Sequence, residues 1–256
     1  MKRLISSLCA VLLAISAIGQ NPFTVGDLTY EITSANTVEV HDCATSATSV
    51  TIPESVIDTN NNTTYNVTSI GEKAFQYNYS LKQVEIPNSV TTIGNSAFHN
   101  CTKLKEIIIP NSVTTIGKNA FQKCNNLPSI TLSNTLTSID SNAFLDCSSL
   151  TTIAIPNSVT SISSQAFYNC KSLTSVTLPE NATIAINAFD NASNTSIVTP
   201  PVNSTVYILS IHHGQYREYF LLVVPSPDLT MHLYQQTAID SFVFVPELLF
   251  SSTVKN

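Results

Sequence analysis

A 23-residue repeat through the middle of the chain restricts its fold more than any other feature of the sequence. Phenylalanine recurs every 23 residues, and finally after 22, at Phe75, Phe98, Phe121, Phe144, Phe167 and Phe189. Cysteine keeps the 23-residue period at Cys101, Cys124, Cys147 and Cys170. The stretch Ile-Pro-Asn-Ser-Val-Thr-Thr-Ile-Gly occurs unchanged at 86–94 and 109–117. A unit this short cannot bury its own apolar residues, so the repeat predicts stacked coils that share one continuous core.

Each repeat unit contains two short extended segments and one block with helical spacing. The pattern Leu104-x-x-Ile107-x-Ile109 is typical of a half-buried strand, and the proline that follows ends it because proline has no N–H to donate. Residues 113–116 form a second extended piece, and the block 117–124 places Phe and Cys three residues apart, as on one face of a helical turn. The position four residues before each Phe suits a helix N-cap and holds Gly71, Gly94, Gly117, Asp140 and Ser163. The units therefore predict an α/β repeat, with a parallel sheet on one face and short helical turns on the other.

These blocks resemble the BspA-like leucine-rich repeats, a family that occurs on the surfaces of Bacteroidetes, spirochaetes and trichomonad parasites. The resemblance rests on the Leu-x-x-Ile-x-Ile-Pro and Ile-Gly-x-x-Ala-Phe-x-x-Cys patterns and covers roughly residues 50–199. It implies a right-handed leucine-rich-repeat solenoid, here of about six coils of 22–23 residues. For characterised members it also implies adhesion to host matrix proteins or to other cells.

The sequence divides into four segments. Residues 1–19 carry a positive start, an apolar stretch and Ala17-Ile18-Gly19, which together predict an export signal. Residues 20–50 alternate around the polar stretch 33–37 and predict a β hairpin that caps the first coil, and residues 51–199 contain the repeats, with a polar insertion at 58–64. Residues 200–256 form a closing segment and a tail, of which 208–256 match no repeat. For this tail we expect either poor order or an irregular C-terminal cap.

The composition argues against several classes of function. The net charge of −6 opposes nucleic-acid binding, and no apolar run beyond the N-terminus is long enough for a membrane span. We find no nucleophile elbow, no paired catalytic carboxylates and no phosphate-binding glycine loop, so we expect neither an enzyme nor a cofactor. No Cys or His pair has metal-ligand spacing, so we expect no metal site. The cysteine column is open to two interpretations, buried thiols or disulfides between coils.

The exposed face of the predicted sheet is the candidate binding surface. Two outward columns run along it, one from Gln83 and one from Glu85, and Ile108 is the apolar member beside Lys105 and Glu106. The open sheet of a solenoid is its usual binding surface. The candidate protein-binding residues are Lys82, Gln83, Glu85, Lys105, Glu106, Ile108, Ser129, Thr131, Thr152, Ser175 and Thr177.

The sequence thus predicts an exported protein, cell-surface or secreted, that mediates protein–protein contact or cell adhesion through its sheet. The expected partners are host matrix or cell-surface proteins, or other microbial cells, and the expected state is a monomer. One alternative is a carbohydrate- or ice-facing array built from the column Thr68, Thr91, Thr114, Thr137 and Thr160. A second is a purely structural surface repeat, and a third is an enzyme whose site lies in residues 208–256.

Overall fold

The computed structural model describes residues 22–179, 182–185 and 187–192 in full, and beyond them the backbone of 196–198, 206–213, 216–223, 232–237 and 241–244. The predicted export signal at 1–19 lies outside the described residues. The first six strands are β1 (Phe23–Val25), β2 (Leu28–Ile32), β3 (Thr37–Cys43), β4 (Ser49–Thr51), β5 (Ser55–Asp58) and β6 (Thr63–Ile70). The repeats contribute β7 (Gln83–Glu85), β8 (Thr92–Ile93), β9 (Glu106–Ile107), β10 (Thr115–Ile116), β11 (Ser138–Ile139), β12 (Thr152–Ala154), β13 (Ser161–Ile162), β14 (Ser175–Thr177), β15 (Thr183–Ile184) and β16 (Ser196–Val198).

The N-terminal strands form the predicted hairpin over the first coil. Strands β2 and β3 pair antiparallel, with Tyr30 opposite Val40 and Ile32 opposite Val38, and β3 then pairs parallel with β6. The ring of Phe23 stacks on that of Tyr30 at 5.6 Å, which closes the apolar end of the coil. The polar insertion at 58–64 contains the turn 59–62 between β5 and β6, two antiparallel strands whose last pair is Asp58 with Thr63.

The repeats stack as parallel strands on two faces of the coil. On the first face β4, β7 and β9 pair in register, and farther along so do β12, β14 and β16. On the second face β6, β8 and β10 are neighbours, followed by β11, β13 and β15. Residues 23 apart are therefore hydrogen-bonded neighbours along most of each face, as the repeat period predicts.

The phenylalanine column forms the centre of the core. The rings from Phe75 to Phe189 stack with centroid separations of 4.8 to 5.4 Å and interplanar angles of 2 to 12°. The rings from Phe75 to Phe167 are fully buried. Parallel columns of leucine, isoleucine and valine pack around them in one continuous cluster. Burial of each ring contributes roughly 1.5–3 kcal/mol.

The predicted helical turns are wrong. In residues 71–78, Lys73 and Tyr77 have φ angles of 63° and 61°, which interrupt a right-handed helix every four residues. Their N–H groups donate to the next coil, at Asn95 O (3.0 Å) and His99 O (2.9 Å), instead of to the carbonyl four residues back. Successive turns replace the helix here and in the later coils, where left-handed residues recur at the same positions. Phe and Cys three apart share one side of such turns just as they would share one side of a helix.

The predicted N-cap glycines have a different role. Gly94 N donates to Ile70 O of the preceding coil at 2.8 Å, and a Cβ on Gly94 would lie 2.7 Å from Glu72 N. A Cβ on Gly117 would lie 2.7 Å from Asn95 N. Glycine is therefore required at these two positions because the backbones of successive coils approach too closely for a side chain.

Both strand columns are interrupted in the coil of residues 127–149. Pro128 has no N–H, so it cannot donate to the coil before it as Lys105 does to Lys82 O (2.9 Å). On the second face, Asp140 stands where earlier coils have glycine, and within the described residues the bond that Gly117 N makes to Ile93 O has no counterpart at Asp140. The neighbouring bond from Thr137 N to Thr114 O is long, at 3.5 Å. On the first face, the ladder between β9 and β12 is therefore reduced to two isolated parallel bridges, Ile108 with Thr131 and Ser129 with Thr152. On the second face, β10 and β11 do not pair in the described residues.

Four further strands follow the repeats: β17 (Val206–His213), β18 (Tyr216–Val223), β19 (His232–Thr237) and β20 (Ser241–Phe244). They pair antiparallel in chain order. The division of the chain at residues 19, 50 and 199 and the order of the tail stay predictions. Within the described part of the chain, no helix has the length and hydropathy of a membrane span.

Candidate functional site

The predicted binding columns lie on the outer surface of the first strand face. Gln83 pairs in register with Glu106, Ile108 with Thr131, Ser129 with Thr152, and Thr152 with Ser175. The exposed members are Lys82, Glu85, Lys105, Glu106, Ile108, Ser129, Thr131 and Thr152, while Gln83, Ser175 and Thr177 are half-buried. The strand alternation thus points these side chains away from the core, which is occupied by their neighbours in sequence, such as Ile107.

A groove of about 590 Å³ opens on this face across three successive coils. Five of the predicted residues line it: Gln83, Glu85, Glu106, Ile108 and Thr131. The remaining predicted residues lie outside its lining, with Lys82 and Lys105 adjacent in sequence. Ile108 is 60% exposed, more than any other large apolar side chain in the described region. An exposed isoleucine inside a concave surface is the feature of this face that most favours contact with another molecule.

Three asparagines complete the groove and were not among the predicted residues. Asn88, Asn111 and Asn134 are exposed at the corner that follows each strand of the first face, and all three line the groove. The N–H of Asn134 donates to Asn111 Oδ1 at 2.9 Å, which holds this amide in place. The repeated Pro-Asn-Ser at 87–89 and 110–112 was the available signal for Asn88 and Asn111, and Asn134, which follows Ser133 instead of a proline, keeps the same period.

The charged residues of the face are largely unpaired. Glu85 Oε2 accepts a hydrogen bond from Thr51 Oγ1 at 3.0 Å. Among the described residues, Lys82, Lys105 and Glu106 form no ion pair, because the described ion pairs are Glu31 with His41 and Glu72 with Lys73. The groove itself therefore has two carboxylates, Glu85 and Glu106, available to a partner.

The threonine column of the second face is engaged with its own backbone. Thr91 Oγ1 donates to Thr68 O, Thr114 Oγ1 to Thr91 O, and Thr160 Oγ1 to Thr137 O, at 3.2 to 3.4 Å. Each of these hydroxyl protons points along the stack toward the preceding coil. This geometry makes the column a structural feature and weakens the interpretation of it as a carbohydrate- or ice-facing array.

The cysteine column consists of free thiols. Each Sγ donates to a phenylalanine carbonyl oxygen of the preceding coil, for example Cys101 to Phe75 O at 3.0 Å and Cys124 to Phe98 O at 3.2 Å. Burial raises the pKa of Cys101 and Cys170 to about 12 and raises those of Cys124 and Cys147 well above the ordinary value. These thiols are neutral, buried and unsuited to nucleophilic chemistry.

We expect Ellman's reagent to label none of the column thiols in the native protein at pH 8, and all of them after unfolding in guanidinium chloride. A buried protonated thiol is neither accessible nor nucleophilic. The pKa of a column thiol such as Cys101 is higher in the folded chain than in the unfolded chain. The free energy of unfolding is therefore unaffected by these thiols below the ordinary thiol pKa, and it falls as the pH rises toward 12 because the unfolded chain then loses thiol protons that the folded chain keeps. A thermal-melting series from pH 7 to 11 measures that fall. Rapid labelling of the native protein at pH 8 would contradict the burial of these thiols.

One donor cluster on the N-terminal cap was not predicted. The pairing of β2 with β3 puts Glu31 opposite Glu39, and His41 Nδ1 lies 3.0 Å from Glu31 Oε2. Burial, followed by the Glu31 charge, raises the pKa of Glu39. The ligand atoms of the three residues lie within 4.8 Å of one another, and this is the one such grouping in the described part of the chain. His41 is exposed, and its direct contact with Glu31 accounts for the arrangement as a surface contact between two side chains.

Comparison with known proteins agrees with the repeat architecture. The family model described as BspA type leucine-rich repeat region matches residues 68–196 in six copies. No curated protein matches the chain. Among solved structures, a leucine-rich repeat protein from Bacteroides ovatus is 33% identical with a TM-score of 0.61, over 70% of this chain and 52% of that one. The chain thus spans about half the length of that relative.

Two further structures are similar. A leucine-rich repeat protein from T. pallidum is 29% identical with a TM-score of 0.61, and the match covers 70% of this chain and 83% of that one. A protein from Faecalibacterium prausnitzii, described as a leucine-rich cell surface protein, is 27% identical with a TM-score of 0.58. That match covers 88% of this chain and 60% of the relative.

Proposed function

The chain belongs to the BspA-type leucine-rich repeat family, and from this premise we propose that it is an exported, surface-located or secreted protein that binds other proteins through its first strand face. The observation that carries the proposal is Ile108, which is 60% exposed inside the groove. Burial of such a side chain by a partner contributes roughly 1.5–3 kcal/mol, which favours association.

The surroundings of Ile108 support contact with a protein surface. Glu85 and Glu106 offer carboxylates to donors of a partner, and the amides of Asn88, Asn111 and Asn134 offer both donors and acceptors. The outward columns continue beyond the groove along the exposed Ser129 and Thr152 and the half-buried Ser175, so a partner can extend its contact over several coils. An apolar centre with a polar rim is the usual anatomy of a protein interface.

The proposed location and partners also rest on membership of the BspA-type leucine-rich repeat family. Two observations support export: residues 1–19 have the apolar stretch and small residues that are typical of an export signal, and the similar Faecalibacterium prausnitzii protein is described as a cell surface protein. We propose host matrix or cell-surface proteins, or other microbial cells, as partners, and a monomer as the working form. We propose no catalysis for the chain.

The proposal is tested by binding of residues 20–256 to immobilised fibronectin, fibrinogen and mucin and to whole cells, with a double variant, Ile108→Asp and Glu106→Lys, beside the natural chain. We expect saturable binding to at least one target and at least tenfold weaker binding by the double variant, because an aspartate at 108 removes the apolar centre and a lysine at 106 reverses a charge.

The matched control is Ile57→Asp, which changes another isoleucine that is 51% exposed. Ile57 lies on strand β5 and does not line the groove. Circular dichroism confirms that each variant is folded. Equal weakening by the control, or unchanged binding by the double variant, would move the site off the first strand face. Absence of binding to every target by the folded protein would remove the proposed adhesion.

A further inference from the structure

Two exposed tyrosines form an aromatic cluster on the turn side of the first repeats. Tyr77 and Tyr79 are 47% and 51% exposed, and their ring centroids lie 6.3 Å apart with the planes tilted by 42°. The imidazole of His99, from the next coil, lies 5.3 Å from the Tyr77 ring at 50°. None of the three residues belongs to the first strand face or lines its groove.

Polar side chains surround the rings and are held in place. Asn100 Nδ2 donates to the Tyr79 hydroxyl at 3.3 Å, and Gln76 Nε2 lies 3.0 Å from His99 Nδ1. Burial, with a smaller effect from Lys123, lowers the pKa of His99. The cluster therefore offers ring faces, a phenol hydroxyl and amides.

The backbone conformation at Tyr77 is unfavourable for a tyrosine. Tyr77 has a φ of 61°, and the equivalent residues of the later coils are also left-handed: Asn100, Lys123, Asp146 and Asn169. Asparagine and aspartate adopt this conformation readily, whereas a bulky aromatic residue rarely does. Since the Tyr77 ring is half-exposed, packing does not offset this cost. A strained residue with an exposed ring points to a use for the side chain outside the fold.

We propose that Tyr77, Tyr79 and His99 form a carbohydrate-binding site, in which the aromatic rings stack on the faces of neutral sugar residues and the amides of Gln76 and Asn100 bond their hydroxyl groups. A sugar ring has an apolar C–H face and a polar edge, which matches aromatic faces bordered by amides. A protein partner fits less well, because a specific protein interface buries about 800 Å² on each partner, far more than two half-exposed rings present. The site is independent of the first strand face.

Affinity gel electrophoresis of the protein in gels containing mannan, galactomannan, xylan or pullulan tests the proposal. We expect at least one polysaccharide to retard the protein. Tyr77→Asn and Tyr79→Ser are each expected to weaken that retardation at least tenfold, because each removes one stacking ring. Tyr77→Asn installs the residue found at the equivalent positions 100 and 169, so its thermal midpoint is expected to equal or exceed that of the natural chain.

The matched control is Ile57→Ser, an equally exposed apolar residue on the cap, which is expected to leave the retardation unchanged. The proposal is overturned if no polysaccharide retards the protein, or if retardation persists in both tyrosine variants. It is also overturned if Tyr77→Asn lowers the thermal midpoint by more than about 5 °C, since the ring would then stabilise the fold. If no polysaccharide retards the natural chain, and the tyrosine variants instead weaken binding to an immobilised protein, the proposal is overturned and the cluster is assigned to a protein contact.

Discussion

Replacing Phe121 with alanine is expected to lower the free energy of unfolding by about 3–5 kcal/mol. Phe121 is fully buried and stacks between Phe98, at 5.1 Å, and Phe144, at 5.4 Å. The substitution removes the ring contacts on both sides and leaves a cavity that the neighbouring coils cannot close, since their separation is set by backbone hydrogen bonds such as Phe98 N to Ala120 O at 2.7 Å. Urea unfolding followed by circular dichroism measures the loss.

Two variants separate the cavity from other effects. Phe189→Ala removes a half-buried ring that stacks on Phe167, and is expected to cost less than half as much as Phe121→Ala. Phe121→Leu keeps most of the buried volume and is expected to cost less than about 1.5 kcal/mol. A loss below about 1 kcal/mol for Phe121→Ala would contradict a continuous ring column as the centre of the core.

The repeat period was sufficient to predict the stacking and its register. Because Phe, Cys and the strand residues all recur at 23, the same residue of successive units must be neighbours, and Gln83 with Glu106 or Thr152 with Ser175 are indeed paired. The cap hairpin was also predictable, since Leu28, Tyr30, Val38 and Val40 alternate around a polar turn and all four are buried. These predictions succeed because period and alternation directly report which side chains point inward.

The conformation of the turn block was not predictable from spacing. Phe and Cys three residues apart are compatible with a helix and with successive turns, and the difference depends on whether Lys73, Tyr77 and their equivalents adopt positive φ. Lysine and tyrosine give no local indication of that conformation. It follows from the stacking itself, because a left-handed residue turns alternate N–H groups toward the next coil, where carbonyl groups accept them.

The candidate sites show the same division between what spacing predicts and what it does not. The columns of the first strand face follow from strand alternation, so Glu106, Ile108 and Thr131 could be named from the sequence. The groove also depends on the corner asparagines, and the third of its coils, which contributes Thr131 and Asn134, is the one that carries Pro128. The aromatic cluster joins Tyr77 and Tyr79 to His99 of the following coil, and only the turn geometry brings these residues together.

Replacing Gly94 with alanine is expected to lower the free energy of unfolding by about 1–3 kcal/mol, although it adds only one methyl group. The new Cβ would lie 2.7 Å from Glu72 N and 2.7 Å from Gly71 C, and both are backbone atoms that cannot rotate away. Relief requires the two coils to separate, which lengthens the bonds from Gly94 N to Ile70 O (2.8 Å) and from Thr91 N to Thr68 O (2.9 Å). Urea unfolding measures the cost.

The chain contains its own comparison for this effect. Where Asp140 replaces glycine in the same column, the bond from Thr137 N to Thr114 O is 3.5 Å and β10 does not pair with β11. Ser163 and Ala185, which also have a Cβ in this column, keep bonds of 2.9 Å to the preceding coil, so the cost of a Cβ depends on the backbone that it faces. Ser163→Ala is the control, because that position already has a Cβ and keeps its bond to Ile139 O at 2.9 Å, so its expected change is within about 0.5 kcal/mol. Equal stability of Gly94→Ala and the natural chain would show that the two coils accommodate a Cβ at this position without loss.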